Sequence, residues 1–130
     1  MSDQLTAVED RLIESLAGAS RGAKRNGTYA LWLFVRTCGG LLPPERLSDR
    51  NQRGQLAGLE RRLRALALPS PIRRALTGGV KDLAEGTAQA AAIALQQLIA
   101  PAREIVGADA GDAVALAART AREVSRETRG

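Results

Sequence analysis

TYALWLFVRTC, residues 28–38, holds every aromatic side chain of a 130-residue chain: Tyr29, Trp32 and Phe34. A run this short and apolar fits a buried strand as well as a helix, so its reading decides the fold class. As a strand it needs a partner, and no other segment alternates convincingly between apolar and polar residues. As a helix it resolves into two faces. Leu31, Phe34, Val35 and Cys38 follow the i, i+3, i+4, i+7 spacing of a core stripe. Tyr29, Trp32, Leu33 and Arg36 repeat that spacing on the opposite side. The spacing predicts a short helix that stops at Gly39–Gly40.

The segments on either side read the same way. Leu5, Val8, Leu12 and Leu16 predict a helix over about residues 3–17, with Ile13 widening its apolar stripe. Residues 18–27 carry three glycines and three basic side chains, which predicts a flexible basic loop. Its GASRGAK does not fit the spacing of a phosphate-binding P-loop. After a turn at LLPPERL, Ser48 or Asp49 is placed to cap a helix running to Leu68, with Leu56, Leu59, Leu63 and Leu66 along one side. Gly54 and Gly58 form a GxxxG in it, a spacing that permits another backbone to come close. Ser70–Pro71 starts the next helix, with Ile72, Leu76, Val80 and Leu83 aligned and Gly78–Gly79 expected to split or kink it.

Thr87 is placed to cap a helix over residues 88–106, whose apolar face is largely alanine. Pro101 is expected to bend it and Gly107 to end it. Residues 112–128 predict a last helix with a thin stripe of Val114, Ala117, Ala118, Ala121 and Val124, expected to lie at the periphery of the fold. The fold class is therefore all-α: one domain over residues 1–130, a compact bundle of five or six helices with short loops.

Composition agrees. Leucine (18) and alanine (24) dominate, and both favour helix. The single cysteine excludes an internal disulfide and points to a reducing compartment such as the bacterial cytoplasm. No signal peptide is visible, and the longest strictly apolar run, Ala30–Val35, is far short of the roughly 20 residues that span a membrane. The net charge of +5 is concentrated: residues 21–74 hold twelve Lys/Arg against three Asp/Glu. Seventeen of the nineteen basic residues are arginine, which equally fits a GC-rich genome using arginine where others use lysine.

Catalytic chemistry has little to work with. There is no histidine, which removes the commonest general base and the commonest metal ligand. Cys38 has neither a histidine partner nor a second thiol, and reads as a small buried hydrophobe. No metal or cofactor is expected.

Two arginine rows remain. Arg50, Arg53, Arg61 and Arg64 fall on one side of the third helix along about 21 Å, with Arg73 and Arg74 just beyond the PSP turn. Arg119, Arg122, Arg126 and Arg129 recur on the last helix beside Glu123 and Glu127, which nearly neutralise them. A helix–turn–helix over residues 49–85 lacks a polar row for reading bases, so nucleic acid here would be held by its phosphates.

The leading expectation is a non-enzymatic interaction module: an adaptor, assembly factor or small structural subunit. It would bind itself or another protein through Tyr29, Trp32, Leu33 and Arg36. The alternative is a nucleic-acid-binding protein using Arg50, Arg53, Arg61, Arg64, Arg73 and Arg74 on phosphate.

Overall fold

A computed structural model describes residues 2–19, 21–42 and 49–129. Among these residues there are six helices and no strand: α1 (Ser2–Gly18), α2 (Ala23–Leu41), α3 (Asp49–Arg64), α4 (Ser70–Leu83), α5 (Ala88–Ile105) and α6 (Ala108–Arg129). The expected turn around Pro44 and cap at Ser48 lie outside the described residues. The all-α bundle is the fold, and TYALWLFVRTC is helical throughout. None of the described helices is long and apolar enough to cross a membrane.

The helix built on the aromatic segment is the hub. α2 packs against each of the other five helices, and its inner stripe of Leu31, Phe34, Val35 and Cys38 is completely buried. Leu5, Val8 and Leu12 of α1, Leu56, Leu59 and Leu63 of α3, and Ile72, Leu76 and Leu83 of α4 close around it.

Several expected loops and breaks are packing devices instead. Residues 18–27 are not one flexible loop, because α2 already begins at Ala23. Gly27 explains why: a Cβ there would stand 3.0 Å from Cγ2 of Val106, so the glycine lets α2 pass closely over the end of α5. Asn26 Nδ2 donates to the Ala67 carbonyl at 3.0 Å and pins the same turn. Gly39 and Gly40 do not stop α2, which runs to Leu41. A Cβ on Gly39 would lie 3.9 Å from Leu5, and one on Gly40 would meet Gln55 Oε1 at 2.8 Å. The first is ordinary contact, whereas at Gly40 the missing Cβ lets the Gln55 amide lie close against α2. Gly78 and Gly79 likewise sit inside an unbroken α4, where Gly79 receives the Phe34 ring.

The GxxxG expectation fails in the opposite sense. A Cβ on Gly54 or Gly58 would meet nothing within 4 Å, so neither mediates close approach. α3 also ends at Arg64 rather than Leu68. The carbonyls just beyond its end are taken by side chains from other helices: Leu66 by the Arg73 guanidinium and Ala67 by Asn26. Partners of this kind satisfy groups that would otherwise favour another helical turn.

α5 begins as its cap predicts, with Thr87 Oγ1 accepting from the Ala90 N–H at 3.0 Å. It carries Pro101 within its length, and Gly107, at φ +144°, turns the chain into α6. α6 is not peripheral. Its Ala110, Ala113, Val114, Ala117, Ala118, Ala121 and Val124 are buried, and its packing on α5 is the most extensive among the described helices. Alanines remove little area from water each, but they let two helices approach along their full length. Among the described helices α3 is the most loosely packed, leaning mainly on α2 and α4. That position leaves the outer side of α2 open on its α3 flank.

Candidate interaction surface

The outward face of α2 is an ordered row. Tyr29 and Trp32 stack with ring centroids 5.8 Å apart and planes inclined by 23°. The Arg36 guanidinium lies over the indole, 5.2 Å from its centroid. Positions i, i+3 and i+7 place the three side chains in sequence along one face, and each contact adds about 0.5–1.5 kcal/mol. Tyr29 and Trp32 are half-buried and Arg36 is exposed. Leu33, expected on the same surface, is 3 % exposed and has withdrawn beneath it.

α1 forms one flank of this row. The helices run antiparallel in a register fixed at both ends: Leu5 lies beside Gly39, and Arg25 Nη1 donates to the Leu16 carbonyl at 3.5 Å. Glu9 occupies the side of α1 turned toward α2, with Oε2 3.9 Å from the Cβ position of Gly39, and Ile13 follows one turn along. Loss of water raises the Glu9 carboxyl above its ordinary pKa, with Arg36 lowering it and Asp10 raising it further. Ile13 does not widen the core stripe. It is 41 % exposed, one of two large apolar side chains so exposed among the described residues. The other, Ile93, lies on α5 away from this face.

α3 forms the other flank, across an open groove of about 680 Å³. Leu33 and Leu59 line it with Arg36, Arg61 and Arg62, and no carboxylate is among the lining residues. Such a groove holds positive potential over an apolar base, which suits an acidic partner surface.

The arginine row expected on α3 does not act as one track. Arg61 turns to the α2 groove, while Arg64 lines a smaller cleft of about 160 Å³ against α4. Arg64 is paired there with Glu60 at 2.5 Å. Arg73 is committed to the Leu66 carbonyl, and Arg50, Arg53 and Arg74 are exposed. On α6, Arg119 and Arg126 are exposed and Arg122 donates to Gln96 Oε1 at 3.2 Å.

Sequence reasoning missed Ile13 and Arg62. Ile13 sits at the edge of the apolar stripe of α1, where only the neighbouring helix decides whether it is covered. Arg62 lies off the arginine row, yet it faces α2 together with Arg36. Cys38 is wholly buried, and loss of water pushes its thiol far above the ordinary range, which makes it a packing residue. No protein-family model, curated protein or solved structure matches this chain.

Proposed function

We propose that this protein is a non-enzymatic helical interaction module whose contact surface is the outer face of α2: Tyr29, Trp32 and Arg36, with Leu33 beneath them. The observation that carries the reading is the assembled row itself. The two rings and the guanidinium already hold each other at 5.8 Å and 5.2 Å, yet remain partly open to solvent. Aromatic and arginine side chains that are ordered before binding lose little entropy on contact, and they dominate the energetics of interfaces. The reading as adaptor, assembly factor or small structural subunit follows from this surface combined with a chain that lacks histidine. A lone buried thiol fits a reducing, cytoplasmic setting.

The test compares wild type with Trp32→Ala and with Gln97→Ala, a change on the exposed side of α5. The Trp32 variant should keep its helical circular dichroism and lose association with itself or with a partner from the native host. The Gln97 variant should lose nothing. If Trp32→Ala lowers the melting temperature and leaves association unchanged, Trp32 is core and the reading is wrong.

One observation favours the second reading, binding of nucleic acid. Arg36, Arg61 and Arg62 converge on a groove without a carboxylate in its lining, and the exposed Arg50, Arg53 and Arg74 extend the positive surface. Arg64 and Arg73 support it less, since both are engaged within the fold. Retention of RNA or DNA at low salt, lost in Arg61→Glu with Arg62→Glu, is its test.

A further inference from the structure

The cleft between α3 and α4 takes no part in the α2 face, and its chemistry is of a different kind. Its apolar lining is Leu63 from α3, Leu76 and Val80 from α4, and Leu68 from the turn that joins them. Its volume of about 160 Å³ is close to that of an apolar cavity, about 150 Å³, that binds benzene. The α4 wall carries a polar row beside the apolar one. Arg73, Thr77 and Lys81 follow at i, i+4 and i+8, so they share one face over about 12 Å. A cation stands at each end of this row and a hydroxyl between them.

The charges around the cleft do not cancel. Glu60 is the one carboxylate among the described residues that line it, and it is paired with Arg64 at 2.5 Å. Arg73 is held by its bond to the Leu66 carbonyl. That acceptor is neutral, so the bond fixes the guanidinium while leaving its charge and its other N–H donors. Lys81 adds a second cation. The apolar pocket is thus joined to an excess of two positive charges.

We propose that this cleft binds a small amphiphilic monocarboxylate. An apolar body of about six carbons sits on Leu63, Leu76 and Val80, and the carboxylate lies at Thr77 between Arg73 and Lys81. There it accepts from the Thr77 hydroxyl and from both cations, bonds that charge strengthens. A compact anion such as phosphate answers the cations and leaves the apolar lining in water. An uncharged hydrocarbon does the reverse.

The test is titration of ¹⁵N-labelled protein with hexanoate, read by amide chemical shifts, with hexan-1-ol and acetate beside it. Hexanoate should saturate with a dissociation constant of about 1 mM, as suits so small a ligand. It should move the amides of Leu63, Leu76, Thr77 and Val80 most. Hexan-1-ol has the same body without the charge and should bind about tenfold more weakly. Acetate has the charge without the body and should not saturate. Lys81→Glu makes the lining electrically neutral, so hexanoate should lose its advantage over hexan-1-ol. Lys81 is exposed, so the helical circular dichroism should persist. If it does not, Lys81→Met, which keeps an apolar stem, should weaken hexanoate and spare hexan-1-ol.

Amides of α3 and α4 that hold their positions throughout the hexanoate titration overturn the site. Hexan-1-ol binding as tightly as hexanoate overturns the carboxylate, and acetate saturating at the same amides overturns the apolar body. Hexanoate affinity indifferent to the Lys81 variants overturns the placement of the carboxylate.

Discussion

The Cζ of Phe34 lies 2.7 Å from the position that a Cβ on Gly79 would occupy. The ring is completely buried at the crossing of α2 and α4, so it has nowhere to retreat. Gly79→Ala should therefore cost about 1–3 kcal/mol despite the better helix propensity of alanine, as overpacked cores do. Gly54→Ala, in a helix with nothing within 4 Å of the new methyl, should gain about 1 kcal/mol. Urea denaturation of the two variants distinguishes them by sign.

That contrast explains which parts of the fold were legible in the sequence. Leu5, Val8 and Leu12, or Leu31, Phe34, Val35 and Cys38, announce buried faces through helical spacing alone, and all are buried. Glycines carry no such signal. Gly27, Gly39 and Gly79 read as loop, stop and kink because chain-local reasoning knows their conformational freedom but not their neighbours. Gly54 and Gly58 read as a packing motif and face open space. The thin alanine stripe of α6 looked weak because its partner, the equally small face of α5, is invisible from α6 alone. The site divided similarly. Tyr29, Trp32 and Arg36 share a face by spacing, whereas Ile13 and Arg62 join it only because α1 and α3 pack beside α2.

Thr87 forms the cap bond that the sequence predicts, accepting at Oγ1 from the Ala90 N–H. Thr87→Ala should destabilise the fold by about 1 kcal/mol. Thr87→Ser should restore most of the loss in the same thermal melt.

Cys38 offers a chemical check on the core. With the thiol wholly buried and its ionisation suppressed by loss of water, the native protein should react with a disulfide reagent only as fast as it unfolds. One thiol should be released at once in strong denaturant. Rapid labelling under native conditions would place α2 elsewhere than at the hub.

Glu9 sets a pH dependence of definite sign. Its folded-state pKa is raised, chiefly by loss of water, so the ionised form is worse accommodated in the fold than in the unfolded chain. The neutral form's advantage is fully present below the unfolded pKa, about 4.3, and disappears as pH rises through the folded value. Glu9→Gln should match wild type in stability at low pH and exceed it at pH 7. Melting temperatures across that range, taken on dilute protein, give the comparison. A variant less stable at pH 7 would mean that attraction to Arg36 outweighs the desolvation.

Trp32 is the only tryptophan, so its fluorescence reports on the contact face and nothing else. The most direct measurement is acrylamide quenching of that emission across a series of protein concentrations. Closure of the face on a second copy predicts quenching that weakens and emission that moves to the blue as concentration rises. Quenching and emission that stay constant in wild type from the most dilute to the most concentrated sample would contradict it.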